Sequence, residues 1–98
     1  MSDRAKIYAI LYDRDNVDTE ALHNFISHSE MVKNWWHYIK SCYIIKSSCS
    51  VSDITDALPA SIREGGFLVV EINLDNSNGW LTDKAWRWIS RRQEEERV

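Results

Sequence analysis

The chain has 98 residues, 44% of them hydrophobic and 28% charged, with a formal net charge of −3, which leaves room for one domain with one core and makes a second unlike the size. Three glycines, one proline and the lack of any repeat or low-complexity tract exclude fibrous and disordered classes. The acidic balance offers phosphate no general attraction and counts against broad nucleic-acid or membrane-surface binding.

The first apolar run, Ile7 to Tyr12, gives way to charge after six residues, too short for a signal-peptide core or a membrane span. The expectation is a cytoplasmic protein with no membrane partner, a single domain over residues 1–98 with an ordered core from about residue 5 to about residue 90. "KIYAILYDR", Lys6 to Arg14, has no polar face and predicts a strand covered on both sides. Asp18 or Thr19 then caps a helix through Glu30, with Leu22, Phe25 and Ile26 at helical spacing.

"WWHYIKSCYIIKSSCS" follows, from Trp35 to Ser50. Read as one strand without a bulge, it puts Trp35, His37, Ile39, Ser41, Tyr43 and Ile45 on one face and Trp36, Tyr38, Lys40, Cys42, Ile44 and Lys46 on the other. Both sets carry large apolar groups, so both faces need cover. Ser50 or Ser52 caps a second helix whose stripe is Val51, Ile54, Leu58 and Ile62, with Pro59 making its last turn irregular. "GGFLVVEINL", Gly65 to Leu74, is a third strand, "DNSNG" a loop, and "WLTDKAWRWISRRQEEERV" a final helix that starts near Thr82 or Asp83 and turns Trp86 and Ile89 inward.

The order is β-α-β-α-β-α, or β-α-β-β-α-β if the second strand is a hairpin or the end hides a further short strand. Either order favours an α/β (α+β) sandwich of ferredoxin-like design, a small, mostly antiparallel sheet with helices on one face. The other face would then expose Tyr, Trp and Ile, so a second copy is expected to cover it as a homodimer.

The first strand, ending in "YDRD" after "AIL", resembles the small subunit of the CRISPR adaptation integrase and the related VapD-like ribonuclease toxins. "WWHYIKSCYIIKS", "LVVEI" and "GWLTDKAWRWI" together resemble a group of bacterial proteins labelled "SinR family", over most of the chain from Ile7 to Ile89. The integrase-subunit resemblance implies a ferredoxin-like fold, a dimer, a setting in bacterial defence or toxin-antitoxin systems and, in some members, cleavage of RNA or DNA by a metal held on an Asp at the end of the first strand. Asp13 occupies the matching position here.

Asp13 and Asp15 lie close together at a strand end, where carboxylates could hold Mg²⁺ and its waters, above all if a two-fold axis brings in a second Asp13. The plainer reading makes "DRDN" a polar turn before a capping Asp. His23, His28 and His37 have no metal-ligand spacing. Cys42 and Cys49 are too few for a zinc site or a disulfide framework and lack the neighbours that would activate a thiol. Trp35, Trp36 and Tyr38, near Lys33, Lys40 and Lys46, combine stacking platforms with cations as single-strand binders do, although aromatics so spread through a small domain point first to a core and an interface. Trp88, two residues from Trp86, is expected to point away from the inward face and meet a partner, and "RRQEEER" to be a solvated helix end with Arg91–Glu95 and Arg92–Glu96 pairs.

"EGGF" is a turn leading into a strand rather than a phosphate cradle, and no organic cofactor is implied. With no complete catalytic constellation, the preferred function is a small dimeric binding or interaction module. The alternative is a metal-dependent endonuclease using Asp13 and Mg²⁺ on RNA or DNA.

Overall fold

The computed structural model describes residues 5–74 and 77–96, with side chains as far as residue 90. Its elements in chain order are β1 (Lys6–Tyr12), α1 (Thr19–His28), β2 (Asn34–Ile39), β3 (Cys42–Ser47), α2 (Val51–Ala57), α3 (Ala60–Arg63), β4 (Phe67–Glu71) and α4 (Asp83–Glu96). The four strands form one antiparallel sheet in the order β2-β3-β1-β4. Strand, helix and hairpin followed by helices and a last strand make the β-α-β-β-α-β unit of a ferredoxin-like sandwich, to which α4 is added. The Arg91–Glu95 and Arg92–Glu96 pairs lie outside the described side chains.

Local chemistry sets the boundaries. Asp18 accepts a hydrogen bond from the Ala21 amide at 3.1 Å and Ser50 one from Asp53 at 3.1 Å, each satisfying a free donor at a helix start. Pro59 cannot continue a helix, so α2 stops before it and α3 begins after it. The long aromatic stretch is a hairpin, turning at Lys40 and Ser41. No described non-glycine residue has positive φ, so this turn is not one of the mirror-image types whose twist matches paired strands. The register accordingly shifts between Trp36 and Ile39, and Ile39 comes to lie opposite Cys42. Ile39 therefore shares a face with Cys42 rather than with Trp35, as a single regular strand would have it.

The first face of the sheet presents Tyr8, Ile10 and Tyr12 of β1, Tyr43 and Ile45 of β3, and Val69 of β4. Leu22 and Ile26 from α1, Ile54 from α2 and Ile62 from α3 close over them, and Leu58 joins the cluster between the last two helices. At about 1.5–3 kcal/mol per buried large apolar side chain, this layer is the main source of stability. Val51, expected in the helical stripe, is the first residue of α2 and is 38% exposed.

The second face is not free of helices. Ile7, Trp36 and Ile44 pack there against Ala85 of α4, with Ile72, Leu74, Leu81 and Trp88 around them. Among the described side chains of α4, Ala85 and Ile89 are buried, while Trp86, expected to face inward, is half-buried. The small, fully buried side chain of Ala85 lets the helix lie down on the bulk of Trp36.

Candidate functional site

Strand register lays out the second face in rows. Asn34, Lys46 and Ile7 make one row; Trp36, Ile44, Ala9 and Val70 the next; Ile39, Cys42, Leu11 and Leu68 a third. The first row and the second as far as Ala9 lie under α4 and its approach, and Lys46, Ile7, Trp36, Ile44 and Ala9 are buried. The third row stays open: Leu68 is 59% exposed, Ile39 50% and Leu11 42%, and Val70 beside it is 39% exposed. With strands about 4.8 Å apart, the row runs roughly 14 Å across the whole sheet, to the outer edge of β4.

At the β2 end the row passes to Tyr38, 41% exposed, and then to a cleft of about 360 Å³ lined by Tyr38, Trp80, Leu81 and Thr82. Trp80 is fully exposed. Counting about 200 Å² for each large apolar side chain, Leu11, Tyr38, Ile39, Leu68 and Val70 together expose roughly 450 Å², within the 300–600 Å² or so typical of the largest patch on a monomer, a patch that is often functional. Cys42 sits half-buried in the middle of the row, and burial raises its thiol pKa, so it contributes as a small apolar group rather than a thiolate.

Most of the tryptophans named from the sequence are committed to packing. Trp35 meets the edge of the His23 ring at 5.3 Å and Tyr43 at 6.0 Å on the first face. Trp36 is 2% exposed on the second face, edge-on to Tyr38 at 5.2 Å. Trp88, expected to point away, instead leans on β2, its indole N–H donating to Asn34 Oδ1 at 3.0 Å. Tyr38 and Lys40 remain exposed. Lys40 also fastens the hairpin: the Tyr12 hydroxyl donates to its carbonyl at 2.6 Å, and His37 Nε2 lies 3.2 Å from the same hydroxyl while its ring stacks on Tyr43 at 3.8 Å. Tyr43 Oη is 2.8 Å from His23 Nδ1, and burial, with Tyr12 nearby, pushes the Tyr43 phenol up to about 12. This ring cluster ties the hairpin to α1 and β1.

Asp13 leaves β1 in a turn of its own making. Its Oδ1 accepts from the Asp15 amide at 3.0 Å and its Oδ2 from the Asn16 side chain at 2.6 Å, while its carbonyl receives the amides of Asn16 and Val17. Both carboxylate oxygens are thus engaged locally. Among the described residues, no three His, Cys, Asp or Glu side chains gather where they could hold a metal ion. No described helix is long and apolar enough to cross a membrane.

Ile39, Leu11, Leu68 and Val70 are surface residues that a search for chemical motifs passes over. The signal for Leu11, Leu68 and Val70 is the parity of β1 and β4, both apolar on the face that the first three helices leave bare, whereas Ile39 reaches the row only through the register shift in β2. Compared with known proteins, the chain matches no family model, no curated protein and no solved structure.

Proposed function

We propose that the protein is a small dimeric binding module whose working surface is the uncovered row on the second face of its sheet. One observation carries this reading: four strands and a neighbouring tyrosine align large apolar side chains into a strip that α4 stops short of covering. Association would withdraw part of that strip from water, and a surface used for binding is the common reason for a soluble domain to keep one. The metal-dependent nuclease is the weaker reading, because the Asp13 carboxylate is held by its own turn.

Sedimentation velocity over about 1–100 μM tests the proposal, a range suited to a small interface. The expected result is a concentration-dependent dimer, weakened by Leu68→Lys, a change at an exposed site that leaves the core untouched. A wild type that stays monomeric throughout overturns the reading.

A further inference from the structure

We infer that two copies join through their β4 strands, edge to edge and antiparallel, with Val69 facing Val69 of the second copy. This rests on the dimeric reading above and specifies the contact.

β4 is the outer strand of the sheet. Its bonds to β1 fall on even-numbered positions: the Asp13 amide donates to the Gly66 carbonyl at 3.3 Å and the Ile72 amide to the Ile7 carbonyl at 2.9 Å. Antiparallel alternation then turns the N–H and C=O groups of Phe67, Val69 and Glu71 outward, away from β1. An edge of this kind is a template for another strand unless something blunts it. The opposite edge is blunted, since β2 carries the register shift between Trp36 and Ile39. β4 pairs with β1 without any such irregularity, and its segment FLVVE has neither proline nor lysine.

The two-fold pairing that uses the whole strand sets Phe67 against Glu71 and Leu68 against Val70 of the second copy. It forms about six N–H···O bonds. It keeps the two Glu71 carboxylates apart, whereas a register centred on Glu71 would oppose them, and each Glu71 keeps Lys6 of its own chain at 4.0 Å. On the second face, exposed Leu68 and Val70 meet their counterparts across the axis, so the two open strips become one apolar floor on an eight-stranded sheet. The contact is small beside the roughly 800 Å² per partner of a standard interface, which predicts dissociation in the micromolar range.

Glu71→Pro tests the edge. Residue 71 is exposed, and proline there removes an outward donor while leaving the β1 ladder intact. Two of the six or so inter-chain bonds disappear, and the dimer dissociation constant should rise about tenfold or more. The register is tested in a Cys42→Ser, Cys49→Ser background carrying Leu68→Cys and Val70→Cys together. In the proposed pairing the two introduced thiols lie across a non-hydrogen-bonded pair, with Cα atoms about 4.5 Å apart and within disulfide reach. Oxidation should give a covalent dimer on a non-reducing gel, and neither single substitution should match it. Circular dichroism melts verify folding of each variant. A dimer that neither weakens with Glu71→Pro nor cross-links through positions 68 and 70 overturns the edge pairing and leaves the dimeric reading standing; a monomeric wild type removes both.

Discussion

Replacing Trp36 by alanine is expected to be among the most damaging single changes in this chain. The indole is 2% exposed and sits beneath α4 with Ile7, Ile44 and Ala85. Truncating so large a buried ring removes its contacts and leaves a cavity, for a cost of about 3–5 kcal/mol. Total stabilities of small domains are about 5–15 kcal/mol, so the variant approaches the threshold of folding. At about 4–8 °C per kcal/mol for a domain of this size, the midpoint of a thermal melt should fall by about 12–40 °C. Phenylalanine at the same position should behave differently. The Trp36 indole N–H is buried without a hydrogen-bond partner, a condition that costs about 1–3 kcal/mol. Trp36→Phe removes that orphan donor as it gives up part of the ring, so the two effects oppose and the net change should stay within about 1.5 kcal/mol. Urea titrations of the three proteins, followed by far-ultraviolet circular dichroism, give the comparison. An alanine variant within about 1 kcal/mol of wild type, with its loss appearing in oligonucleotide affinity instead, would refute packing and make Trp36 a stacking platform.

Gly65→Ala should destabilise by about 1–3 kcal/mol, since an added Cβ would clash with the Asn16 carbonyl oxygen and stand 2.6 Å from Val17 Cγ2; a chemical melt reads this directly, and a neutral result would mean that the loop after β1 yields freely. Burial raises the phenol pKa values of Tyr8, Tyr12 and Tyr43 above 10.0, that of Tyr43 to about 12. The unfolded chain therefore loses these protons first, and stability should be intact below pH 10 and fall between pH 10 and 12. Urea midpoints across that window should decline less steeply for Tyr43→Phe than for wild type. Asp13→Ala should cost about 1 kcal/mol through its turn hydrogen bonds; incubation with single-stranded RNA or duplex DNA in Mg²⁺ or Mn²⁺ should show no cleavage that depends on Asp13, and reproducible cleavage lost in the variant would install the nuclease.

The alternation of strand and helix was legible because each element carries its own period and cap, as Asp18 and Ser50 show. The hairpin was harder to read, since Lys40 and Ser41 are not the Asn-Gly or Gly pairs that announce a tight turn, and the resulting bulge moved Ile39 to the opposite face. The position of α4 was hidden for a different reason. Trp86 and Ile89 have helical spacing, but the fully buried position packed with Trp36 belongs to Ala85, whose small side chain carries little hydrophobic signal. The open row was half visible: parity showed both faces of β1 and β4 to be apolar, yet which part remained uncovered depended on where the last helix came to rest.

That helix is also the one element outside the β-α-β-β-α-β unit, anchored by Ala85, Ile89 and the Trp88–Asn34 hydrogen bond rather than by any strand ladder. Strands β1, β3 and β4 are woven together by pairings that reach from one end of the unit to the other, so none of them can open without disrupting the whole sheet. α4 is expected to open as a unit while the sheet stays closed. Its amides should therefore exchange with deuterium through a partial opening of lower free energy than global unfolding, and each such opening would briefly extend the apolar surface from Ile39 and Leu11 to Trp36, Ile44 and Ile7.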